Sequence, residues 1–132
     1  MTRTRLFASA TALVCAHALG TLPAFAKADD YRFELVGKPQ PKAGRDIVQV
    51  RLVQAPDSKP VPDAVIFESS ADMGPAGMAT MTAPVKAMPG KGGVYSFEVE
   101  PGMTGTWALH LAAKVQGEPE TVRGTITADL VK

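Results

Sequence analysis

From Tyr31 onward the chain alternates apolar and polar positions with a period of two. In Tyr31–Val36 the apolar positions are Tyr31, Phe33 and Leu35. In Asp46–Gln54 they are Val48, Val50 and Leu52, opposed to Gln49, Arg51 and Val53. Ala64–Phe67 is a short apolar run. Val94–Val99 sets Tyr95, Phe97 and Val99 against Ser96 and Glu98. Gly105–Val115 groups Trp107, Leu109, Leu111 and Ala113, and Thr121–Val131 groups Val122, Ile126, Ala128 and Leu130. Successive side chains of a strand point to opposite faces, so this pattern predicts half-buried antiparallel strands rather than helices.

The connections carry turn chemistry. Gly37–Gly44, Ala55–Pro60, Met88–Gly93, Glu100–Gly105 and Gln116–Pro119 are rich in Gly, Pro, Asp and Ser, which supply the backbone angles of tight turns. Gly90-Lys91-Gly92-Gly93 reads as a hairpin turn and not a phosphate loop, because no helical pattern follows it. Six strands are clear, and a seventh is expected between Gly77 and Val85. The fold class is all-β: a small immunoglobulin-like β-sandwich of about seven antiparallel strands. Trp107, in phase with Leu109 and Leu111, is expected at the centre of the core; the alternative is a stacking platform for a ligand. His110 falls out of that phase and is expected to face away from the core.

The first residues follow a different rule. Arg3 and Arg5 precede an uncharged apolar stretch from Leu6 to Leu22, and Ala24-Phe25-Ala26 ends it. That is the pattern of a secretory signal peptide cleaved after Ala26, leaving one domain over 27–132 in the periplasm. Cys15 and His17 are expected to leave with the leader, so the mature domain has no cysteine and relies on its core instead of disulfides. The formal charge of the whole chain is +1, and loss of Arg3 and Arg5 brings it to about −1. Nothing in that balance favours nucleic acid or an anionic membrane.

The chain holds six methionines. Apart from Met1 they are Met73, Met78, Met81, Met88 and Met103, and the first four of these lie in a segment rich in Gly, Pro and Ala. Turn-forming sequence tends to reach the surface, so these thioethers are expected to be exposed. Thioether sulfur is soft, suits Cu(I), and needs no deprotonation to bind it. Met73, Met78 and Met81, with Met103 from the turn before Trp107, form the candidate Cu(I) set; Met88 belongs to a separate turn and is the weakest candidate. Met78 and Met81 are three apart and would point to opposite faces of a regular strand. A soft, adaptable contact patch and plain packing under a loop are the alternatives.

The stretch from Asp63 to Ala113 resembles the YtkA-like/FixH family of small exported or membrane-tethered β-sandwich domains. The residues that carry the likeness are Ala64–Phe67, the run Met73-Gly74-Pro75 with Met78 and Met81, and Pro84. With them go Gly93-Val94-Tyr95 and Met103-Thr104-Gly105-Thr106-Trp107. The resemblance implies a role in copper handling, heavy-metal efflux or cytochrome oxidase assembly. An enzyme is not expected: the mature domain has no cysteine nucleophile, its single histidine has no identifiable orienting partner, and no ligand spacing suits zinc. The first functional reading is therefore a non-enzymatic periplasmic accessory protein that binds Cu(I). The alternative is a metal-free module docking onto a periplasmic efflux or oxidase-assembly protein.

Overall fold

A computed structural model describes residues 27–132; the leader expected over 1–26, with Cys15 and His17, lies outside the described residues. Ten strands make up the domain: β1 (Tyr31–Leu35), β2 (Gln40–Lys42), β3 (Arg45–Gln54), β4 (Lys59–Pro60), β5 (Val65–Met73), β6 (Met78–Ala83), β7 (Val85–Lys91), β8 (Val94–Val99), β9 (Gly105–Lys114) and β10 (Val122–Leu130). They form two antiparallel sheets. The first, here sheet A, has the order β1-β3-β8-β7, with the short β2 and β4 also paired to β3. The second, sheet B, has the order β10-β9-β5-β6. No described helix is long and apolar enough to cross a membrane.

The core lies between the sheets and is built from the alternating positions. Val48, Val50, Leu52, Phe97 and Val99 come from sheet A, and Trp107, Leu109, Leu111, Val122 and Leu130 from sheet B. Trp107 is 1% exposed, and its Nε1–H donates to the Met103 carbonyl at 3.1 Å. It is a core aromatic whose one polar atom is satisfied, as a buried indole requires. Gly124 interrupts the apolar series of β10 for a steric reason: a Cβ there would come within 2.6 Å of the Phe33 ring. One charged side chain is also fully buried. Asp46 Oδ2 accepts from the Val131 N–H at 2.7 Å and so ties the end of β10 to the start of β3.

One expectation is extended and one is revised. The strand anticipated between Gly77 and Val85 is β6 (Met78–Ala83) on sheet B, and a further strand not anticipated, β7, begins at Val85 on sheet A, directly after Pro84. Proline has no N–H for a ladder, so the break falls where the chain leaves one sheet for the other. The turn anticipated from Met88 is shorter than expected: β7 continues through Met88-Pro89-Gly90 to Lys91, with an irregularity between Met88 and Lys91. Only Gly92 and Gly93 form the turn, both with positive φ (63° and 80°), as a two-residue hairpin loop of mirror-image type demands. Proline is tolerated at such an edge irregularity.

Candidate functional site

The candidate methionines are divided by burial. Met73, the last residue of β5, is 2% exposed and belongs to the core, because the alternation that buries Ala71 carries on to it. Its Cε lies against Gly105; a Cβ at that glycine would approach it to 2.7 Å. The expectation of an exposed thioether fails here. It holds for Met78, Met81, Met88 and Met103, which are 37–39% exposed.

Strand pairing decides which of them meet. A short helical turn, Gly74–Ala76, and left-handed Gly77 (φ 78°) reverse the chain after β5. Met78 is thereby the cross-strand partner of Met73. The next pairs are Asp72 with Thr82 and Ala71 with Ala83. Ala79, Thr80 and Met81 therefore have no counterpart on β5 and bulge away from it. Met103 stands in the loop between β8 and β9, two residues before the glycine that receives Met73. Met73, Met78 and Met103 thus gather at one end of the sandwich, Met81 sits on the bulge, and Met88 pairs with Ser96 on sheet A. Among the described residues, no group of three or more His, Asp or Glu is placed to hold a metal ion.

The outer face of sheet B carries a second constellation. On β9 this face shows Ala108, His110 and Ala112. Ala112 lies in one row between Glu68 of β5 and Arg123 of β10, and these close over it as an ion pair at 3.1 Å. His110 lies in the next row, between Ser70 and Thr125. Its ring bypasses Ser70. Nε2 is 2.7 Å from Asp72 Oδ2, and Nδ1 is 2.9 Å from Thr125 Oγ1. The other Asp72 oxygen accepts from the Gly74 N–H at 2.7 Å.

These contacts set the proton positions. The Gly74 N–H and then His110 hold the Asp72 carboxyl below the usual carboxylate range, so it is ionised at neutral pH. A carboxylate only accepts, so Nε2 carries the proton of the neutral ring and Nδ1 offers a lone pair. The Thr125 hydroxyl must then donate to Nδ1. The sequence placed His110 outside the core and found it no orienting partner; the fold supplies Asp72. A small hollow of about 220 Å³ opens beside this group, lined by Glu68, His110, Arg123 and Thr125. A wider cleft of about 490 Å³ lies at the β1–β10 edge, lined in part by Lys38, Thr127 and Asp129, and holds none of the methionines.

The YtkA-like family model matches residues 25–112, well over half of the chain. The chain belongs to the YtkA-like family. The matched region takes in all five internal methionines, Asp72 and His110, and stops before β10 and Thr125. No curated protein matches this member of the family in sequence. Among solved structures, a DUF4426 family protein from Pseudomonas aeruginosa PAO1 is similar at 14% identity and a TM-score of 0.44. That alignment covers 76% of this chain and 88% of the other.

Proposed function

We propose that this YtkA-like domain is an exported, non-enzymatic accessory module that works by contact, through the edge formed by β6. One observation carries the reading. From Met73 to Val85 the chain has no charged residue, yet this segment forms an edge strand with Met78 and Met81 exposed. Exposed edges are normally blunted with charge. An uncharged, irregularly paired edge bearing flexible thioethers suits a surface that is covered in use, since methionine adapts to the shape it meets. A periplasmic metal-efflux or oxidase-assembly protein is the partner class. The test places a photoreactive side chain at position 78 or 81, with position 38 as control, in cells that export the protein. Position-specific adducts from 78 and 81 to a protein of either class support the proposal. Adducts equal to those from position 38 reject it.

A second reading, Cu(I) binding, is favoured by the register pair Met73–Met78 and by the proximity of the Met103 loop. It requires sulfur ligands from Met78 and Met103, with Met73 reached from the core side and Met81 supplied by its bulge. Cu(I) titration against a competing chelator separates the readings, on the parent protein and on a Met78→Leu/Met81→Leu/Met103→Leu variant. Leucine keeps the apolar volume and removes the sulfur. Uptake by the parent alone supports the copper site, and equal uptake, or none, excludes it.

A further inference from the structure

We propose that Asp72, His110 and Thr125 form a hydroxyl-activating relay that makes Thr125 Oγ1 a nucleophile toward small activated acyl donors. This goes beyond the contact role and uses a different face of the molecule. The connectivity is carboxylate, imidazole, hydroxyl, with links of 2.7 and 2.9 Å. It has the order in which a general base is oriented on one side and draws a proton on the other. Each member comes from a separate strand, β5, β9 and β10, whose pairing fixes the three side chains relative to one another. Asp72 is itself held by the Gly74 N–H at 2.7 Å. The tautomer that follows leaves the Nδ1 lone pair facing the threonine hydroxyl, as proton abstraction needs. Thr125 is exposed to solvent, and the hollow of about 220 Å³ beside it has room for a short acyl group. Arg123, two positions earlier on the same face and paired with Glu68, also lines that hollow.

The step balances with an activated ester as the acyl donor. The Thr125 oxygen attacks the ester carbonyl, and its proton passes to His110 Nδ1. The tetrahedral centre then collapses, the bond to the leaving phenolate breaks, and an acyl-threonine remains. The imidazolium returns its proton to the phenolate or to water. The product is an unactivated alkyl ester, which water cleaves far more slowly than it forms from the activated donor, so at early times the expected reaction is one acyl group per chain.

The fold also supplies a control. Thr127 lies on the same strand and the same face, two residues on, opposite Ala108 and without an imidazole. The experiment treats the purified protein with p-nitrophenyl acetate and maps acetylation by peptide mass spectrometry at early times. Thr125 is expected to react on the order of 100-fold faster than Thr127, the scale of general-base assistance. The ratio should fall toward unity in His110→Gln, fall in Asp72→Asn, and survive in Thr125→Ser. Thermal unfolding of each variant checks that the sheet is intact. Equal labelling of the two threonines in the parent, an unchanged ratio in His110→Gln, or acetyl groups only on lysines or on His110 itself would overturn the proposal.

Discussion

The two unusual surfaces of this domain lie on the same sheet and are built by opposite rules. On the outer face of sheet B, polar side chains from three strands are joined to one another: Glu68 with Arg123, Asp72 with His110 and Thr125, and Thr106 with Asp129 at 2.6 Å. At the edge of that sheet, β6 matches β5 at both ends but bulges between them, and its side chains are Met, Ala and Thr. The first surface is ordered by its own hydrogen bonds. The second presents thioethers that are more than a third exposed. The difference separates rigid geometry suited to chemistry from deformable surface suited to contact, within a few residues of chain: Asp72 belongs to one and Met78 to the other.

The comparison can be broken or sharpened by substitution. The largest effect is expected at Trp107, which is fully buried on the core side of β9 and bonds to the Met103 carbonyl. Trp107→Ala should lower unfolding free energy by about 3–5 kcal/mol in urea titration. A loss under about 1 kcal/mol would mean that Trp107 is not a core residue and would return it to the ligand-platform reading. Met73 is next. Met73→Ala should cost about 2–5 kcal/mol, as truncation of a buried methionine does, whereas Met73→Leu should cost less than about 1.5 kcal/mol. Equal tolerance at Met73 and Met81 would erase the division between core and edge methionines.

The outer face is expected to respond more gently. His110→Ala removes two hydrogen bonds from a partly exposed side chain and should cost about 1 kcal/mol. Asp72 adds a pH dependence whose sign is fixed by its lowered pKa. Its stabilisation is complete above the ordinary value of 3.8 and is lost as the pH falls through its lower value in the folded protein. Acid unfolding should therefore be less steep in Asp72→Asn, and an unaltered profile would detach Asp72 from the relay. The smallest effect is expected at the bulge, where Met81→Gln should change stability by no more than about 0.5 kcal/mol. A larger loss would show that the edge is ordered after all.

Much of this organisation is legible in the alternation of the chain. The six clear strands appear within a residue or two of their expected bounds, apart from β5, which runs past Phe67 to Met73. That extension was hidden because Glu68, Ser69, Ser70 and Asp72 are polar, and an apolar run is easier to see than a strand with one wet face. The same extension buries Met73, so a residue that reads as part of a surface loop became core. The relay was illegible for a related reason. Asp72 reaches His110 only through the register of β5 on β9, and that register shifts between Ile66 and Glu68. One residue of slip would turn Asp72 to the other face. Local sequence carries the phase of each strand but not the offset between strands 38 positions apart.

The burial of Met73 also has a redox consequence. A dissolved oxidant meets Met78, Met81, Met88 and Met103 at the surface and is kept from Met73 by the core. Conversion of a thioether to its sulfoxide makes an apolar side chain polar, and the reaction is reversible by reductases. At Met78 and Met81 that change would make the β6 edge more polar, whereas at Met88 and Met103 it would act on sheet A and on the β8–β9 loop. The fifth sulfur, enclosed in the core against Gly105, is shielded from that chemistry by its packing.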